Sequence, residues 1–176
     1  MASAYPTGHA ANNLRFWSPS RGYRRVMDQI EVRSSTIEDG QRIPDRHGHD
    51  GENVSPAIEW IGVPKDATEV VVMCVDPDAP GGTFLHWLMT GLDPHSGGIP
   101  EGRIPEGARL WPNDFGEEGW GGPAPPAGHG PHRYRFEVFA LARPIELPDR
   151  PTAQDVHRAT EDITLAEGIL VGTYER

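Results

Sequence analysis

Apolar and polar residues alternate in Ile30-Glu31-Val32-Arg33-Ser34 and over most of Arg133 to Leu141, the period of two that sets one row of side chains on each face of a strand. The run Val70-Val71-Val72-Met73-Cys74-Val75 is apolar throughout and reads as a buried strand entered at Glu69. Ala57 to Trp60 forms a short strand, Phe84 to Thr90 a core strand, and Ile169 to Tyr174 a closing one. Thr152 with Asp155 resembles a helix start, and Val156, Ala159, Ile163 and Ala166 follow at helical spacing. This spacing predicts one helix over about residues 153–167. Residues 46–56 lack periodicity and are rich in polar groups, so they form an ordered surface loop. Residues 91–131 are a long Gly/Pro-dense connection whose Trp111, Phe115 and Trp120 argue that it is packed, and a packed loop of that length is a functional one. Short strands joined by such turns, with one late helix, predict a mainly β, sandwich-like fold.

Composition narrows the function. A chain of 176 residues accommodates one domain with a real core. A formal net charge of -10 opposes an electrostatic grip on nucleic acid or anionic membrane. Cys74 is the only cysteine, so no intrachain disulfide forms, and its apolar surroundings make it packing instead of a nucleophile. The sequence shows no apolar run long enough for a membrane span and no signal-peptide h-region at its start, and the expected location is the cytoplasm. Residues 1–28 read as an arm preceding a domain over 29–176. The arm carries Leu14, Phe16 and Trp17 with Arg15, Arg21, Arg24 and Arg25, and either docks on the domain, on a second subunit or on a protein partner, or is a mobile tail.

Candidate chemistry concentrates in Asp76-Pro77-Asp78-Ala79-Pro80 and His86-Trp87. Carboxylates one residue apart on an extended chain point to one side, which predicts that Asp76 and Asp78 face one space. Prolines 77 and 80 remove backbone donors and force the chain to leave the sheet there. Gly122-Pro123 and His132-Arg133-Tyr134 complete the set. Three chemistries suit these residue types: an anion pocket, a metal site, or a general acid/base enzyme. The zinc-like spacing of His129 and His132 is interrupted by Gly130-Pro131, and no serine lies in a Gly-x-Ser-x-Gly elbow. No cofactor or metal is expected.

In order and spacing these four signals resemble the phosphatidylethanolamine-binding, Raf-kinase-inhibitor-like family, and more closely its bacterial branch. Asp50-Gly51-Glu52-Asn53-Val54-Ser55-Pro56, Asn113-Asp114-Phe115-Gly116, Gly128-His129-Gly130 and Gly172-Thr173-Tyr174 extend the likeness over about residues 30–176. The resemblance implies antiparallel sheets in a sandwich and a small pocket at one end formed by Asp76, Asp78, His86, Gly122, Pro123, His132 and Tyr134. It implies a phosphate, phosphorylated headgroup or small carboxylate-like ligand, and eukaryotic members act as kinase or peptidase regulators. His49 and Ala124 stand where bacterial members often carry cysteines, so no thiol role transfers to those positions. His49 becomes an additional donor near the pocket. Carboxylates beside a phosphate would repel it, so the aspartates are expected to act one shell back. There they orient and charge His86 and His132 as the anion donors, with Gly122 N–H and the Tyr134 hydroxyl assisting.

Overall fold

The computed structural model describes residues 28–176, so the arm expected over 1–28 lies outside the described residues apart from Asp28. In chain order the strands are β1 (Asp28–Gln29), β2 (Glu31–Arg33), β3 (Ile58–Ile61), β4 (Glu69–Asp76), β5 (Phe84–Leu92), β6 (Gly98–Ile99), β7 (Arg109–Leu110) and β8 (His132–Leu141). Helix α1 (Ala153–Thr160) and strand β9 (Thr164–Tyr174) follow. One sheet has the order β1-β9-β8-β4-β5-β7, and a smaller one the order β2-β3-β6. Pairing is antiparallel except between β1 and β9.

The alternating side chains of β4 and β8 explain the layers. Val70, Val72, Cys74, Tyr134, Phe136 and Val138 turn toward the small sheet and meet Ile58, Trp60 and Ile99 in one core. Val71, Met73, Val75, Phe139 and Leu141 occupy the opposite face, where Ala153 and Val156 of α1 cover them. The mainly β sandwich is therefore present, with the larger sheet as its middle layer and one α-helix among the described residues. All eight residues of β4 are buried, which accounts for the absence of polar alternation in its apolar run.

Two expectations need correction. The helix ends at Thr160, well before residue 167, although its start is as expected: the Thr152 side chain accepts from Asp155 N–H and the Asp155 carboxylate accepts from Thr152 N–H. Ala166 satisfies the helical period but pairs with Ala140, because β8 offers a ladder along the whole of β9. The long 91–131 connection also contains β6 and β7, each only two residues.

Antiparallel pairing positions the site. The end of β4 at Asp76 pairs with the start of β5 at Phe84, and Val75 pairs with Arg135 near the start of β8. One end of the sheet thus collects Asp76, His86 and His132. No helix among the described residues is long and apolar enough to cross a membrane.

Candidate functional site

At that end lies a cavity of about 150 Å³. Its polar lining is Asp76, His86 and His132; its walls are Ala79, Pro80 and Phe84 on one strand end and Phe115 with Ala124, Pro125 and Pro126 on the long connection. The expected carboxylate–imidazole contact is present once. His132 Nδ1 lies 2.7 Å from Asp76 Oδ2, so Nδ1 carries a proton and donates it, and the two residues are only 4% and 3% exposed. Asp76 Oδ1 accepts from Asp78 N–H at 2.8 Å, which fixes the carboxylate at the turn.

His86 is held differently. Its Nδ1 lies 2.6 Å from the Gly121 carbonyl, and Gly121 N–H returns a bond to the His86 carbonyl at 2.9 Å. A carbonyl can only accept, so Nδ1 donates here too. Burial pushes the His86 pKa below its ordinary value, against the opposing pull of the Gly121 carbonyl and the Asp76 charge. The neutral ring therefore presents Nε2 as an acceptor, contrary to the expectation of a second carboxylate-charged donor. Phe84, Phe115 and Tyr134 surround this ring at centroid distances of 4.8, 5.5 and 5.1 Å, and they supply the apolar burial that disfavours its charge.

Asp78 does not share the space of Asp76. Its carboxylate accepts from Arg133 N–H at 2.9 Å, Nε at 2.9 Å and Nη2 at 2.6 Å, at the surface. These bonds hold its pKa down at about 2. The period-two argument fails because β4 ends at Asp76 and Pro77 begins a turn, where strand alternation no longer applies.

Gly122 and Pro123 stitch loops together and do not line the cavity. Gly122 N–H donates to Asn53 Oδ1 at 2.8 Å, and a Cβ at this position would lie 2.1 Å from the His47 carbonyl oxygen, so only glycine permits the approach. The Pro123 carbonyl accepts from His49 N–H at 3.0 Å. Tyr134 is fully buried, its hydroxyl faces the Asp76 carboxylate and the Ala124 backbone without a short hydrogen bond to either, and burial together with the Asp76 charge pushes its pKa far up. It packs the His86 ring edge-on. His49 stacks on Phe115 at 4.6 Å and reaches the site only through that ring.

Sequence reasoning missed Phe84 and Phe115 as parts of this site, and Arg133 as the partner that holds Asp78 outside it. Phe115 carried a signal, since an aromatic inside a Gly/Pro-rich loop needs something to pack on. Arg133 carried one only as part of His132-Arg133-Tyr134. His129 approaches His132 with ring centroids 6.0 Å apart, yet no group of three metal-ligating side chains forms among the described residues.

The family model described as phosphatidylethanolamine-binding protein matches residues 33–175. The UPF0098 protein of Methanothermobacter thermautotrophicus is 38% identical over 152 residues, covering 84% of this chain and 99% of the relative. A Mycobacterium tuberculosis relative whose name marks it as a candidate lipoprotein, LppC, is 36% identical over 148 residues, covering 84% of this chain and 73% of its own. The crystal structure of Escherichia coli YbcL, described as a member of the mammalian PEBP family, superposes with a TM-score of 0.78 at 30% identity, over 84% of this chain and 99% of YbcL. With a family match over most of its length, a relative spanned almost end to end, and a shared fold, the chain belongs to the phosphatidylethanolamine-binding protein family.

Proposed function

We propose that the cavity binds a small phosphorylated or otherwise anionic group of the phosphoethanolamine type. The observation that carries this reading is the pair of imidazoles, each anchored through Nδ1, with the second nitrogens of His86 and His132 left without a partner among the described residues. Size supports it: about 150 Å³ is well below the roughly 300–1,000 Å³ of pockets that enclose drug-sized ligands, so a headgroup fits and a whole lipid does not. Charge supports it too, because Arg133 offsets Asp78 and His132 accompanies Asp76.

Proton placement follows from the geometry. Asp76 holds His132 through Nδ1–H and so turns Nε2 to the ligand, where the doubly protonated ring donates to a phosphate oxygen. Neutral His86 accepts at Nε2 from a P–O–H or ammonium proton. A phosphate monoester loses its second proton at a pKa of about 6, so the P–O–H bond to His86 fades as pH rises.

Calorimetric titration with phosphoethanolamine, inorganic phosphate and ethanolamine at pH 6 and pH 8 tests the reading. Expected are binding of the two phosphates, tighter at pH 6, and no binding of ethanolamine. His86→Ala with His132→Ala abolishes the heat. Phosphate affinity indifferent to the double substitution overturns the site. A second reading rests on the same Asp76–His132 contact, which also orients an imidazole as a general base. Turnover of a small substrate that Asp76→Asn abolishes would establish it. A regulatory role through a protein partner of residues 1–28, and a cytoplasmic location, belong to the same proposal; pull-down with and without those residues and cell fractionation test them.

A further inference from the structure

The cavity wall Ala124-Pro125-Pro126 has little to hold it in place by itself. Three prolines at 123, 125 and 126 remove backbone donors, and no strand or helix includes the segment. One side chain gathers it. Arg176 Nε donates to the Pro125 carbonyl at 2.7 Å, Nη2 to the Ala124 carbonyl at 3.2 Å, and Nη1 to Asp50 Oδ2 at 2.5 Å. A planar guanidinium has donors along its edges in a fixed fork, so one group satisfies two wall carbonyls and a carboxylate of the 46–56 loop at once. The two loops are further joined by His49 N–H to the Pro123 carbonyl and Gly122 N–H to Asn53 Oδ1, but both of those bonds lie at the Gly122-Pro123 end. At Ala124 and Pro125, which line the cavity, Arg176 ties both carbonyls.

We infer that Arg176 is a positioning residue that sets the aperture of the cavity by clamping the Ala124–Pro126 wall to the Asp50 loop. Arg176 is not among the cavity-lining residues. Its effect on affinity passes through Pro125 and Ala124, which line the cavity together with Phe84 and His132. As far as affinity is concerned the inference rests on the anion-pocket reading above; the clamp itself does not.

The experiment therefore has two readouts on the full chain, for wild type, Arg176→Gln, Arg176→Lys and Asp50→Asn, after circular dichroism has shown each to be folded. Amide hydrogen exchange without ligand follows the Gly121–Gly130 segment. Inorganic phosphate and phosphoethanolamine affinities are read by calorimetry. In Arg176→Gln the exchange of Gly128, whose N–H donates to the Arg176 carbonyl, and of His129, whose N–H donates to the Pro126 carbonyl, rises while that of β4 and β8 does not, and phosphate affinity falls about three- to tenfold, the cost of ordering a loop on binding. Arg176→Lys gives no rescue, because a point charge cannot fork to three acceptors. Asp50→Asn has a smaller effect, since both carbonyl bonds survive. Unchanged exchange in Arg176→Gln, or full protection in Arg176→Lys, overturns the clamp. Faster exchange with unchanged phosphate affinity overturns its link to the cavity. Faster exchange in a protein whose wild type binds neither phosphate leaves the clamp standing and defeats the anion reading instead.

Discussion

Among the described residues two almost fully buried carboxylates each meet an imidazole, and the two contacts serve different ends. At the sheet end Asp76 meets His132 at 2.7 Å; further along β8, Glu137 meets His157 of α1 at 2.6 Å. Both carboxylates are almost fully buried, at 3% and 4% exposure. Glu137 also takes Arg135 at 3.0 Å, and His157 is half exposed on the helix, so that cluster ties α1 to the sheet. His132 is buried, and beyond its ring is a cavity. The contact itself is therefore common structural chemistry, and what makes one of the two a candidate site is the cavity beyond the imidazole.

The comparison can be broken most severely at Glu137. Glu137→Ala should lower unfolding free energy by about 2–3 kcal/mol, less than a fully buried pair would lose because both cations are half exposed. Urea denaturation measures this, and phosphate affinity should be unchanged; an equal loss of affinity would erase the distinction. Asp76→Asn should do the reverse, weakening phosphate binding about tenfold, or ~1.4 kcal/mol, because the His132 ring loses the carboxylate that orients it. Its effect on stability should be the smaller of the two.

Asp78→Asn sharpens the contrast by removing a carboxylate close in sequence but outside the cavity. It should cost no more than about 1 kcal/mol of stability, since Arg133 is largely exposed, and leave phosphate affinity intact. Its pKa is depressed to about 2, so its contribution is present above its ordinary 3.8 and disappears as pH falls through about 2. Acid unfolding of the Asp78→Asn protein should lack that step.

The smallest expected effect lies near neutrality, where the two imidazole sites have opposite signs. Glu137 raises the His157 pKa, so its stabilisation is complete below the ordinary 6.5 and is lost as pH rises through the raised value. Burial lowers the His86 pKa, so the fold loses stability as pH falls from 6.5 through the lowered value. Thermal melts from pH 5 to 9 should show both slopes as shifts of about 1–2 °C, and His157→Gln should remove only the alkaline one.

Much of the architecture was legible in the chain because it depends on local period and local chemistry. The apolar run ending at Asp76, the alternation of Arg133 to Leu141 and the Thr152–Asp155 capping box all appear where expected. Ile163 and Ala166 misled, since they continue the spacing of Val156 and Ala159 yet lie in the turn after α1 and in the paired strand β9. Of the candidate site, Asp76, His86 and His132 do line one cavity, whereas Asp78, Gly122, Pro123 and Tyr134 hold its surroundings.

That division marks the boundary between the two levels. The amino-acid sequence by itself determined which residues carry charge, which strands are buried and where prolines force the chain out of the sheet, because those properties are set within a few residues. The tertiary structure decided which partner each polar group received: Arg133, 55 residues from Asp78 in the chain, took its carboxylate, and Asn53, 69 residues from Gly122, took its N–H. A hydrogen bond is spent on whichever donor the fold brings within about 3 Å, and no local pattern encodes that distance.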